Sequence, residues 1–214
     1  MVYPDTAMSR PLAIRAARRL VCAATVAAAI IVALLPACAP SKPKPLRPVT
    51  RWHPYRTEDG GYGMEAPADW KVTTHSTLGG FETTVRANDD NWVVVAKQIL
   101  PGDLEAKVLR SDARDQAIIE AVQGHYHALE SRFEKLVSEA PQVGAAGGAM
   151  TGFGSFTATK KAGYGDSTTE VEGATALVIG LNYLYVFDAF ADPQSAAVVG
   201  AAFDHMVDTF KFDE

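Results

Sequence analysis

"LNYLYVFDAFADPQSAAVVGAAFDHMVDTFKF", Leu181 to Phe212, changes its period in the middle. In the first half Leu181, Tyr183, Tyr185 and Phe187 fall on one face of an extended segment, the two-residue repeat of a β-strand. In the second half Val199, Phe203, Met206, Val207 and Phe210 recur at helical spacing and make one apolar stripe. Asp192-Pro193 stands at the junction, where an N-cap side chain followed by proline at the first helical position would start the helix. A strand that leads into a helix with one apolar face implies that the helix packs back on that strand's sheet.

Working outward, "AMTGFGSFTATKK" (149–161) and "STTEVEGATALVIG" (167–180) read as further strands of the same sheet. Near the front, "GGYGMEAPADWKV" (60–72) gives two short extended pieces divided by Pro67, and "FETTVRANDDNWVVVAKQIL" (81–100) gives two strands around the turn-forming residues Asn88 to Asn91. Between these halves Pro101-Gly102-Asp103 opens a helical region, and Pro141 closes it. Within it Ile118, Ile119, Val122, Tyr126, Leu129, Phe133, Leu136 and Val137 recur at three- and four-residue steps. One helix over 103–139 would be ~55 Å long at 1.5 Å per residue, too long for so small a body, so a break is expected near Ser111-Asp112. The fold class expected is α+β: an antiparallel β-sheet flanked by helices.

With 48% apolar and 21% charged residues in 214, the chain can build one sizeable core and does not have the composition of a disordered protein. Its formal charge of -5 is unevenly spread. Residues 1–37 carry Arg10, Arg15, Arg18 and Arg19 against Asp5, whereas Trp52 to Glu214 holds 12 basic and 24 acidic residues. A body this acidic is repelled by nucleic acid and by anionic lipid surfaces, so no nucleic-acid partner is expected.

The arginines precede "LVCAATVAAAIIVALLPA", Leu20 to Ala37, an uncharged run ending in small residues, the order of a secretory signal. A membrane-spanning helix needs about 20 apolar residues, so an uncleaved anchor is the alternative. The next stretch, "LLPACAPSKPKPLRP", bears on the choice. Leu35-Pro36-Ala37-Cys38 resembles the bacterial lipoprotein signal, in which the cysteine receives a diacylglyceryl group and becomes the mature N-terminus; Pro36 departs from the small residue usual there. Two acyl chains hold a protein stably on a membrane where one does not. On this reading residues 1–37 are a lipoprotein signal peptide, Cys38 is the lipidated residue, and residues 38–51 are a Pro/Lys-rich tether in extended polyproline geometry. Ala39 stands where an inner-membrane retention signal would usually show Asp, which by the same resemblance points to the outer membrane if the host is diderm. "ARRLVC" (17–22) faintly resembles a twin-arginine signal, and Met8 is a more ordinary leader start than Met1. Cys22 leaves with the leader and Cys38 is consumed by lipid, so no disulfide or thiolate site is expected in the mature domain.

"YGMEAPADWKV", the long helix, the paired late strands and the ending "AAFDHMVDTFKF" resemble the PsbP-like superfamily over about Gly60 to Phe212. The resemblance implies a globular domain over 52–214 with an α/β/α sandwich, and an accessory or adaptor role in place of catalysis. No functional residue of the family has a clear match here, and none is carried over.

The candidate chemistry is sparse. His125 and His127, two apart on a helix, point to opposite sides and cannot chelate one ion as an i, i+4 pair can; His127 shares a polar face with Gln116, Glu120, Gln123, Glu130 and Glu134. "GAAGGAMTGFG" (144–154) lacks the Lys-Ser/Thr ending of a phosphate loop and reads as a flexible strand entry. Asp204 and Asp208 lie one turn apart with His205 between them, and Asp188 and Asp192 lie on the preceding strand; a weak cation site there competes with a plain acidic surface. Ser76, Ser155, Ser167 and Ser195 sit in no nucleophile elbow, and His75 beside Ser76 reads as a loop coincidence. The expectation is therefore no catalytic residue, no metal and no cofactor. The chain is expected to be a lipid-anchored, non-enzymatic envelope protein that serves an unidentified envelope protein partner. The alternative is a carrier of a small apolar ligand or lipid in a cleft between sheet and helix.

Overall fold

The computed structural model describes residues 45–57, 60–77, 80–110, 112–160 and 169–213. The leader, Cys38 and Ser167 lie outside the described residues. The main sheet has eight strands: β3 (Lys71–Thr77), β4 (Gly80–Asn88), β5 (Asn91–Ile99), β6 (Phe133–Ser138), β7 (Gln142–Ala146), β8 (Ala149–Lys160), β9 (Glu170–Ile179) and β10 (Tyr183–Ala191). They run in the order β3-β4-β5-β10-β9-β8-β6, with β7 also on β8, and all pairings are antiparallel. A second, three-stranded sheet joins β1 (Trp52–Arg56), β2 (Tyr62–Pro67) and β11 (Lys211–Phe212). The helices are α1 (Gly102–Val108), α2 (Arg114–Glu130) and α3 (Ala196–Asp208).

The opening stretch folds as its periods dictate, with two differences. Strand β10 begins at Tyr183, and Leu181 sits in the turn before it with 89% of its surface exposed. Both faces of β10 are buried, because helices cover the sheet on both sides. Tyr185, Phe187, Ala189 and Ala191 join Val199, Phe203, Met206 and Val207 of α3 in one core cluster. Leu184, Val186 and Phe190 join Val122, Tyr126 and Leu129 of α2 in the other. The α+β sandwich is therefore two cores separated by one sheet. The second difference is at the helix start. Ser195, not Asp192, is the N-cap residue, and the Asp192 carboxylate instead receives the backbone N–H groups of Gln194 (2.9 Å) and Ser195 (3.1 Å) in the turn that leads into α3.

The helical region breaks where its length required, between Val108 and Arg114, but it ends earlier than its apolar spacing suggests. Phe133–Ser138 is strand β6, paired with β8 through a register shift between Phe133 and Lys135. Phe133, Leu136 and Val137 continue the helical spacing by coincidence. The free edge of β8 captures the segment, and the ladder bonds it gains there outweigh a further helical turn. β7 then pairs with the earlier part of the same edge, and Pro141 falls in the gap between the two strands, where no ladder N–H is needed.

The glycine-rich stretch is a hairpin, not a flexible entry. Gly147 (φ 57°) and Gly148 (φ 82°) form the two-residue turn between β7 and β8 with the left-handed backbone that such tight turns require. Gly152 and Gly154 lie on the β8 face beneath α2, where a Cβ would collide with Ile118, Val122 and Tyr126. The last residues expected in the tether also touch the domain. The Leu46 side chain packs on the α3-side core, its N–H meets Ser195 Oγ at 3.3 Å, and Arg51 pairs with Asp69 at 2.7 Å.

Candidate functional site

Helices α1 and α2 do not close completely on the sheet. A cleft of 350 Å³ remains between them, with Leu177, Leu184 and Val186 as an apolar floor. On the α2 side Ala117 and Ala121 face it, and these small side chains leave the space that larger ones would fill. Lys107 of α1 and Glu120 of α2 join at 3.2 Å across the two helices that flank it. The hydrogen bond from the Gln116 amide, followed by that contact, holds the Glu120 carboxyl below its ordinary value.

His125 lines the cleft and explains the one acidic residue in the apolar run of β10. Its Nε2 lies 2.8 Å from Asp188 Oδ1, with 17% and 9% of the two side chains exposed. Thr175 Oγ1, from the neighbouring strand β9, reaches the same carboxylate at 2.8 Å. A carboxylate only accepts hydrogen bonds, so both partners donate to it and the Nε2 proton is fixed. Sequence reading treated Asp188 as part of an acidic group near α3. The missed signal was its place: a charge in a strand buried on both faces must find a partner. The nearby Tyr126 hydroxyl is pushed up to about 12, mainly by burial and further by the Glu139 and Asp188 charges, so it stays neutral.

The remaining candidates are dispersed. Asp204 and Asp208 are exposed on α3, away from Asp188 and Asp192, and partial burial followed by the Asp208 charge raises the Asp204 carboxyl. His205 stacks on Trp52 with ring centroids 3.7 Å apart and reaches Glu65 at 2.8 Å, tying α3 to the small sheet. His127 is exposed and pairs with Glu130. His75 lies on strand β3, not in a loop, and faces Glu82 on β4 at 3.3 Å. Ser155 bonds Glu139 at 2.6 Å, and Ser195 is fully buried. Among the described residues no group of three or more His, Cys, Asp and Glu side chains could hold a metal ion.

Asp192 has a structural role. Its Oδ2 accepts from Asn91 Nδ2 at 2.7 Å while its own N–H donates to Asn91 Oδ1 at 3.2 Å, which locks the β4–β5 turn to the end of β10. Burial pushes this carboxyl up, but the bonds from Asn91, Ser195 and the Gln194 and Ser195 backbone together hold it below 3.8. A depressed acid stabilises the fold above its unfolded pKa and loses that contribution as pH falls through the lower folded value. Asp192→Ala should therefore cost ~1–3 kcal/mol at pH 7, and the gap between wild type and variant should shrink below about pH 4. Urea titrations at pH 7 and pH 3 measure both; a gap that does not narrow would mean the charge is not what stabilises the turn.

A different feature occupies the other face of the sheet end. Ile99 and Tyr183 are cross-strand neighbours at the ends of β5 and β10, 69% and 39% exposed, beside the exposed Leu181. Lys97 holds its ammonium 4.1 Å from the Tyr183 ring centre. Side chains alternate along the strands, so this corner faces away from the cleft, which is lined by Gln98 and Leu184.

No protein-family model matches the chain, and no curated protein matches it. Among solved structures, the cyanobacterial PsbP protein (CyanoP) from Synechocystis sp. PCC 6803 is similar at 13% identity with a TM-score of 0.55, covering 83% of this chain and 98% of that one. LpqN of Mycobacterium tuberculosis, described as involved in cell envelope biogenesis, aligns at 11% identity over 75% of this chain and 90% of its own, with a TM-score of 0.39 too low to carry weight. The chain thus has a PsbP-like fold, and at such identity the likeness is one of fold alone. No described helix is long and apolar enough to cross a membrane.

Proposed function

We propose that the protein is a membrane-anchored envelope lipoprotein whose PsbP-like domain is a non-catalytic accessory or adaptor module that docks a protein partner. The observation that supports this reading most is the exposure of three large apolar side chains at one end of the sheet, Ile99 and Tyr183 paired across β5 and β10 and Leu181 in the turn before β10. Contiguous exposed apolar groups mark interaction surfaces, and a tyrosine with a cation over its ring suits an interface centre. The anchor is the diacylglyceryl group on Cys38 after removal of residues 1–37, on the periplasmic side of the envelope and, in a diderm host, at the outer membrane.

Crosslinking in native envelopes followed by capture of the protein tests this reading. Leu181→Lys combined with Ile99→Lys should abolish one discrete crosslinked partner, with stability changed by no more than ~0.5 kcal/mol per exposed site. An unchanged crosslinking pattern would rule out this corner as the docking surface. Cys38→Ser should end incorporation of a fatty-acid analogue during growth, and labelling that persists would remove the anchor assignment. The second reading, a carrier of a small apolar ligand or lipid, is favoured by the cleft under α1 and α2.

A further inference from the structure

We infer that two copies of this chain pair through the outer edge of β3, antiparallel and two-fold symmetric about Thr74, so that their main sheets join into one. The inference is independent of the adaptor and carrier readings, which use other parts of the molecule.

A strand at the end of a sheet leaves every second residue's backbone N–H and C=O unpaired, and these groups are a template for another strand. β3 stands at one end of the strand order and, among the described residues, pairs only with β4. It is exposed from Thr73 to Thr77. Val72, Thr73, Thr74 and Thr77 are β-branched, the type that favours extended backbone. The strand is also held in place. Val72 packs on the α3-side core, and the Thr74 hydroxyl meets Thr83 Oγ1 at 3.1 Å and the Tyr55 hydroxyl. An incoming strand therefore finds the ladder already ordered.

The other open edges carry features that prevent such pairing. β1 contains Pro54, and β11 has only two residues. β6 carries Glu134 and Lys135 and a register shift between Phe133 and Lys135. β7 is five residues long with Gly144 at its centre. β3 has seven residues, no proline, no glycine and one charged side chain, Lys71, at its first position.

Charge selects the occupant. Trp52 to Glu214 holds 12 basic and 24 acidic residues, so two copies repel each other over most of their surfaces. β3 contains no acidic residue, and Glu82, which faces His75, lies one strand back on β4. Antiparallel pairing about Thr74 sets Thr74 against its own copy, Thr73 against the second copy's His75, Val72 against its Ser76 and Lys71 against its Thr77. No like charges stand opposite, and a favourable Thr–Thr pair lies on the axis. The two Lys71 positions fall ~20 Å apart, at opposite ends of the ladder. The edge is thus self-complementary, as a two-fold interface requires.

Multi-angle light scattering of the full chain tests this, in a non-ionic detergent with micelles in large excess so that two chains do not share one by chance. The mass should rise from one chain to two with protein concentration. Thr73→Lys combined with His75→Lys places lysines opposite each other twice and should raise the dissociation constant ~10-fold. Thr73→Glu combined with His75→Lys places opposite charges at the same positions and should restore the dimer. Both sites are exposed, so both variants should melt as the wild type does. A wild type that stays monomeric at every concentration would overturn the inference. So would a dimer indifferent to the two lysines, which would lie on another surface, or a dimer lost in both variants, which would not have the register about Thr74. A monomeric wild type that carries a different polypeptide, released by the two lysines, would make the edge a docking strand for another protein and overturn the self-pairing.

Discussion

Phe203→Ala should destabilise the domain by ~3–5 kcal/mol and lower its melting temperature by something on the order of 10 °C. Phe203 is 3% exposed and lies in the middle of the α3 stripe, between Val199 and Val207, against the β10 face that carries Phe187 and Ala189. Truncation leaves a cavity that the flanking residues cannot fill, because the backbones of α3 and β10 are each fixed by other contacts. α3 is held at its start by the Asp192 turn and near its end by the His205 contacts with Trp52 and Glu65. A domain of this size has ~5–15 kcal/mol in total, so a large share of it depends on one ring. The neighbouring Asp204→Asn/Asp208→Asn pair is the control. Both carboxylates are exposed, and the Asp204 carboxyl is raised by partial burial and by Asp208, so removing the charges should be neutral or slightly stabilising near pH 7. Added calcium should not raise the melting temperature of the wild type. A silent Phe203→Ala would overturn the packing of α3, and a calcium-dependent gain lost in the double variant would restore a cation site there.

The elements legible in the sequence were those whose periodicity arises locally. The alternation in β4, β5, β8 and β9, and the stripe of α3, are properties of each segment's own apolar face, so reading them needed no partner. β6 was not legible because Phe133, Leu136 and Val137 satisfy a helical spacing equally well, and only the unpaired edge of β8 decides between the two conformations. Asn91 and Asp192, 101 positions apart, each carry an adequate local explanation as turn and cap residues, and their mutual bond exists only once β5 and β10 are neighbours. The cleft is invisible for a related reason. Ala117 and Ala121 look like ordinary helix formers, and the space they line exists only once α1 and α2 stand over Leu177, Leu184 and Val186. Asp188 is different. A lone carboxylate in "VFDAF" announced a buried partner, and His125 lay on the helix that covers the same sheet.

The glycines of β8 provide the second large prediction, and its sign is opposite to that given by strand propensity. Valine is among the best strand formers and glycine among the poorest, a difference that favours Gly154→Val by up to ~1 kcal/mol at an open site. Here the site is not open. A Cβ on Gly154 would stand 2.8 Å from Tyr126 Cζ and 3.2 Å from Val122 Cγ1, closer still to the Tyr126 hydroxyl. Valine adds two methyl groups beyond that atom and so needs more room still. Tyr126 is 4% exposed, sits in the α2-side core beside Phe156, and donates from Oη to the Ser155 carbonyl at 3.3 Å. Moving it loses that bond and lifts the helix that carries His125. The overpacking alone costs ~1–3 kcal/mol, and an orphaned buried hydroxyl adds ~1–3 kcal/mol. Gly154→Val should therefore destabilise by several kcal/mol, with Gly154→Ala intermediate, as read by urea denaturation. Combining Gly154→Val with Tyr126→Phe, which removes the colliding hydroxyl, should recover part of the loss. If Gly154→Val were neutral or stabilising, α2 would not rest on β8 as closely as these contacts require, and the wall that places His125 over Asp188 would have to be drawn elsewhere.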